Sequence, residues 1–116
     1  MPQVVNKSKA VVLAKSCEMA DSFYRRFCGL MLRRSLPHGT SLALKPCNSI
    51  HMLFMRFPID VLFIDKDNVV VGCCKSIKPW RLSSIFRKSV LAVELPAGLI
   101  DKTNTDVGDI IAIEDD

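Results

Sequence analysis

The longest apolar stretch of the chain, Ser49–Asp65 (SIHMLFMRFPIDVLFID), carries His51, Arg56 and Asp60 inside it. Charges within a run that must be buried are costly unless they meet each other. The stretch therefore predicts a core and a polar contact inside that core. A strand is predicted over Ser49–Phe57, with His51 and Met55 on one face and Met52, Phe54 and Arg56 on the other. Pro58 cannot donate a ladder hydrogen bond, so the strand bends or ends there. Ile59–Ile64 resumes as a strand apolar on both faces, with Asp60 sharing the face of Leu62 and Ile64. Asp65-Lys66-Asp67-Asn68 predicts a hairpin turn, because Asn68 tolerates left-handed backbone. Val69–Cys74 then returns antiparallel.

The same patterning extends in both directions. Lys9–Lys15 (KAVVLAK) predicts a first strand, and Ser16 is suited to cap a turn or helix. Phe23, Phe27, Leu30 and Met31 recur at helical spacing and predict a helix over Asp21–Met31. Gly29 either lies inside that helix or marks its end, or a close approach of another backbone. A turn at Leu36–Gly39, holding His38, leads into a strand at Thr40–Leu44 that Pro46 ends. Downstream, Ile77–Arg81 predicts a loop with the one tryptophan, Trp80. Lys88–Leu95 predicts a strand with Glu94 near its end. Pro96–Lys102 predicts a short helix, with Glu94 beside its positive end. Val107-Gly108-Asp109 turns into a last strand, Ile110–Ile113, and residues 114–116 form a frayed acidic tail. Six to seven short strands and two short helices make a mainly β (α+β) domain, a compact antiparallel barrel-like or sandwich fold. Residues 1–116 are expected to form a single domain.

Composition changes this picture little. Hydrophobic residues make up 49% and charged residues 24%, as in ordinary globular proteins. Arg56 and Asp60 keep the best apolar run short of the ~18 residues of a membrane span. The N-terminal MPQVVNKSKAVVLAKS lacks the apolar core of a signal peptide, so a cytoplasmic location is expected. The cysteines, Cys17, Cys28, Cys47, Cys73 and Cys74, are odd in number and form no CxxC. Vicinal Cys73 and Cys74 on a strand face opposite ways. Reduced core thiols are expected, and no cofactor or metal. Residues 1–56 hold nine Lys/Arg and two Asp/Glu, a net +7, and residues 57–116 hold seven and ten, a net −3. Arg25, Arg26, Arg33 and Arg34 cluster. Without the aromatic or glycine pattern of a nucleic-acid module, a solvated face is favoured over a phosphate-binding patch.

Three segments carry a resemblance. They are Gly29-Leu30-Met31-Leu32-Arg33-Arg34-Ser35-Leu36, the block Ile50–Asp65, and Val90–Gly98 followed by Gly108-Asp109. Together, in this order, they resemble the family called domain of unknown function 192. The resemblance implies a small, mainly β, barrel-like or sandwich domain with short helices. It brings no established activity, cofactor or catalytic residue, and many relatives carry secretion signals. This chain departs from the family pattern at Arg56-Phe57-Pro58, where a Lys-Asn-Thr-like sequence is common, and at Asn68, where glycine is usual.

The candidate chemistry centres on Asp60. A carboxylate among Ile59, Val61, Leu62 and Phe63 needs a cation or several donors, and Arg56 is near enough to fold back across Pro58 and pair with it bidentately. Such a pair is either a structural clip or one wall of a pocket in which Arg56 meets an anionic ligand. His51 is either a satisfied core histidine or a ligand or proton-transfer group. A metal site or nucleophile pair with Cys47 lacks the necessary partners. Trp80 either caps the core or walls a pocket, and Glu94 could join Arg56 or Arg81. The first reading is a small cytosolic ligand-binding or accessory domain, not an enzyme, with a shallow pocket of His51, Arg56, Asp60, Trp80, Arg81 and Glu94. Its expected ligand is an anionic or polar small molecule or a peptide end. The alternatives are an enzyme using carboxylate/His acid–base chemistry and a nucleic-acid binder using the basic cluster.

Overall fold

The structure is a computed structural model and describes residues 2–115. Among the described residues, eight strands form two sheets. The first sheet has the order β2-β1-β8 and joins β1 (Gln3–Asn6), β2 (Val11–Ala14) and β8 (Ile111–Glu114). The second has the order β3-β4-β7-β5-β6 and joins β3 (Ser16–Ala20), β4 (Thr40–Leu44), β7 (Leu91–Pro96), β5 (Ile59–Ile64) and β6 (Val70–Ile77). All pairings are antiparallel except β3 with β4. The arrangement is sandwich-like, and the sheets do not close into a barrel. The two short helices are α1 (Phe23–Cys28) and α2 (Leu99–Lys102). No helix of the described residues is long and apolar enough to cross a membrane.

β5 is the reason the larger sheet is covered twice. All six of its residues are buried, between β6 on one side and β7 on the other. Strand alternation sends Leu62 and Ile64 into one core with Val4, Leu13, Val93 and Ile111, under the small sheet and α2. It sends Ile59, Val61 and Phe63 into a second core with Leu30, Leu42, Ile50 and Met52. The predicted opposite facing of Cys73 and Cys74 is seen here too, since each packs against a different core.

Ser49–Phe57 is not a strand. Apart from one bridge between His51 and Leu82 it is a loop. Met55 N–H bonds back to Met52 O and Phe54 has φ +61°, so the backbone turns where a strand would run straight. Its apolar residues are still buried, as the lid of the second core: Met52 is fully enclosed, and Met55 and Ile50 nearly so.

Helix α1 is shorter than the stripe from Phe23 to Met31 predicts. Ser22 caps its start by accepting from Arg25 N–H, and Gly29, at φ +45°, ends it with its N–H on Arg25 O. The strand expected first, at Lys9–Lys15, is the second, β2, preceded by β1, and it begins only at Val11 because Ala10 at φ +55° belongs to the turn between the two. Ser16 opens β3 and caps no helix. Pro96 closes β7, and α2 starts only after Gly98 at φ +92°. The turn at Asp65–Asn68 forms as expected: Asp65 Oδ1 accepts from Asp67 and Val69 N–H, and Asn68 sits at φ +67°. Glu114 is the last residue of β8 and pairs with Lys7 at 2.7 Å; of the expected tail, Asp116 lies outside the described residues.

Candidate functional site

Asp60 is fully buried, on the same face as Leu62 and Ile64. Its Oδ1 accepts from Ser76 N–H at 2.8 Å and its Oδ2 from Ile100 N–H at 2.9 Å. Among the described residues it forms no ion pair with Arg56, whose side chain is exposed. The expected Arg56–Asp60 pair is therefore corrected. Because Ser49–Phe57 is a loop, Arg56 points to water, and two backbone donors satisfy the carboxylate instead. Gly98, the residue before α2, has no side chain to cap it, and Asp60 supplies that oxygen from the neighbouring strand. The anion at the start of α2 is thus Asp60 and not Glu94.

Glu94 projects from the opposite face of the same sheet. It stands on β7 between Leu42 of β4 and Val61 of β5. It is 4% exposed, and among the described residues no donor reaches its Oε1. Burial pushes its pKa up from 4.5 to about 8, opposed in part by the Arg33 guanidinium. At neutral pH the carboxyl is mostly protonated, so it offers one O–H donor and one carbonyl acceptor.

Glu94 lines a cavity of about 240 Å³. Its walls come from the end of α1 and the turn after it (Arg26 to Met31), from Leu44 of β4, and from the loop with Cys47, Ile50, His51 and Met55. Gly29 lies directly over the carboxyl: a Cβ there would stand 3.6 Å from Glu94 Oε1. Space would admit that carbon, but φ +45° favours glycine.

His51 is held in place at the rim. Its Nδ1 accepts from Leu53 N–H at 3.2 Å, which leaves Nε2 as the protonated nitrogen, donating to Phe27 O at 2.7 Å. Both ring nitrogens are thereby committed to backbone. Cys47 Sγ donates to Ser49 O at 3.0 Å, and burial, with the nearby Glu94, pushes its thiol pKa up. That is the opposite of what an attacking thiolate requires, and His51 does not bond to it. No cluster of three or more metal-binding side chains occurs among the described residues.

Of the residues singled out from the sequence, His51 and Glu94 share this cavity. Asp60 lies across the sheet from it. Arg56 and Arg81 are exposed and do not line it. Trp80 is 60% exposed and rests on Phe54, ring centroids 4.9 Å apart, capping no core. In the basic cluster, Arg26 Nη1 donates to Asp21 O and Lys45 O, and Arg33 pairs with Glu18 at 3.1 Å.

A family model described as Uncharacterized ACR, DUF192, matches residues 4–113. A UPF0127 protein of Thermococcus sibiricus is 36% identical over 112 residues, covering 93% of this chain and 72% of that protein. A UPF0127 protein of Pyrococcus furiosus is 34% identical over 111 residues, covering 91% of this chain and 93% of the relative. The crystal structure of a protein of unknown function from Novosphingobium aromaticivorans is similar, with a TM-score of 0.85 at 20% identity, over 97% of this chain and 84% of that one. At that identity the likeness concerns the fold alone. The segments on which the family resemblance rests meet at the cavity: Gly29, Leu30 and Met31 from one, Ile50, His51 and Met55 from another, Glu94 from the third.

Proposed function

This chain belongs to the DUF192 family, and we propose that it is a small ligand-binding or accessory domain whose site is the cavity over Glu94. The observation that carries this reading is a buried carboxyl, without a donor on Oε1 among the described residues, on a residue that lines a cavity large enough for a small polar group. A buried polar atom left without a partner costs stability, and a bound ligand would offset that cost. The apolar walls, Leu30, Leu44, Ile50 and Met55, would exclude water around the bound group. The ligand class is a polar small molecule or a peptide end. Arg56, Asp60, Trp80 and Arg81 then contribute outside this cavity or to structure alone.

An acid–base enzyme is the second reading. A carboxyl with a pKa raised to about 8 is a usable general acid. His51 weighs against it, because both its ring nitrogens are occupied by backbone groups. The proposed setting is the cytoplasm, in keeping with five free cysteines.

Protein NMR with a panel of small alcohols, amides, carboxylates and sugars tests the binding reading. Shifts concentrated on Gly29, Ile50, Met55 and Glu94 are expected. Shifts scattered over the surface, or confined to Trp80 and Arg81, would overturn it.

A further inference from the structure

We propose that the cavity recognises a neutral amide group, one that presents an N–H donor and a carbonyl acceptor side by side, as in a primary amide, a lactam or a pyrimidinone. This deepens the binding reading above and rests on it. Glu94 is the single acid among the residues that line the cavity, and Arg26 is their single permanent cation. Leu30, Leu44, Ile50 and Met55 give the cavity apolar wall, and the uncharged side chains of Asn48 and Ser49 line it as well.

Three kinds of polar group could meet Glu94, and charge decides among them. A cation would have to ionise a buried carboxyl, with Arg26 on the cavity wall and Arg33 already acting on Glu94. Burying an ion pair there carries a desolvation cost on both partners. An anion would need a cation at the cavity floor, and Glu94 occupies the floor. The guanidinium of Arg26 is turned toward the carbonyls of Asp21 and Lys45. A neutral amide meets neither obstacle. The amide N–H can supply Glu94 Oε1 with the donor that no described residue gives it, and the amide carbonyl can accept the carboxyl O–H, with no net charge buried. The titratable and charged groups around Glu94 are Arg26 and Cys28 on α1, Arg33 beyond it, and Cys47 and His51 in the facing loop; its strand neighbours, Leu42 on β4 and Val61 on β5, carry no charge.

Three probes of one shape and different charge separate these cases: isobutyramide, isobutyrate and isobutyramidinium. Each is titrated into the ¹⁵N,¹³C-labelled protein at pH 6.5 and pH 9.5 while the Gly29 amide and Met55 methyl are followed. Isobutyramide is expected to shift both signals at pH 6.5. Its affinity should fall by up to roughly 30-fold at pH 9.5, as a group with a pKa of about 8 loses its proton. Glu94→Gln keeps a donor and an acceptor but cannot ionise, so it should bind isobutyramide equally at both pH values. Tighter binding of isobutyramidinium or isobutyrate at these signals would overturn the amide assignment and leave the binding reading standing. No response of Gly29 or Met55 to any of the three would overturn both.

Discussion

Replacing Glu94 by Gln should flatten the pH dependence of stability between pH 5 and pH 8. The folded-state pKa of Glu94 is raised to about 8, because the carboxyl is buried with only Arg33 opposing the shift. A raised carboxyl binds its proton more tightly in the folded state than in the unfolded one. Its contribution is therefore complete below the unfolded value of 4.5 and is lost as pH rises toward and through about 8. Each pH unit inside that window removes up to ~1.4 kcal/mol, so between pH 5 and pH 7 the wild type should lose about 2.5 kcal/mol. With a urea m-value of about 1.5–2 kcal/mol/M, the unfolding midpoint should fall by on the order of 1.2–1.7 M. The other resolved shifts act elsewhere. Asp109, held down to about 2 by Lys9 and Asn6, loses its contribution only in acid. The thiols of Cys17, Cys47, Cys73 and Cys74, pushed up by burial, matter only above their ordinary value of 9.0. The assay is urea unfolding followed by tryptophan fluorescence and circular dichroism at four pH values, wild type against Glu94→Gln. Parallel curves for the two proteins would refute the reasoning, since they would mean that the carboxylate is solvated or partnered in the folded state.

Three further outcomes are expected. Asp60→Ala leaves the buried N–H of Ile100 without its acceptor and releases the part-buried N–H of Ser76, and should cost roughly 1–3 kcal/mol, whereas Arg56→Ala should stay within about 0.5 kcal/mol; equal losses in denaturant unfolding would restore the Arg56–Asp60 pair. Gly72→Ala would bring a Cβ within 2.3 Å of the Phe86 ring, which stacks on Phe63 at 4.5 Å, so the ring must leave its place at a cost of about 1–3 kcal/mol; a variant as stable as the wild type in thermal unfolding would contradict that contact. Lys9→Met removes the ammonium that contacts Asp109 at 2.8 Å, so it should destabilise at pH 5–7, with the difference from wild type shrinking as pH falls toward 2; a constant difference across that range would show that the ion pair does not hold Asp109 down.

Much of the frame was legible because it rests on local signals. Thr40–Leu44 formed where weak alternation placed it, and Ile59–Ile64 where a run apolar on both faces placed it. The hairpin turn formed where Asp65 and Asn68 could satisfy and bend the backbone. What was not legible depended on partners distant in the chain. β1 is a strand because β2 and β8 flank it, the latter more than 100 residues away. Ser49–Phe57 has the composition of a strand, but its apolar side chains are buried by lying across a sheet. Asp60 suggested Arg56 as partner because they are four positions apart; its donors come from 16 and 40 residues away. Glu94 was visible as a carboxylate in an apolar run, LAVELP. Only the pairing of β7 between β4 and β5 decided that it turns to the cavity face rather than to α2.

The most direct measurement is the ¹³C chemical shift of the Glu94 carboxyl carbon, followed by NMR from pH 4 to pH 10 in the native protein. A single titration step with its midpoint near 8 is the expected result. A midpoint near the ordinary value of 4.5 would place an ionised carboxylate in the cavity at neutral pH and leave the binding site without its neutral donor.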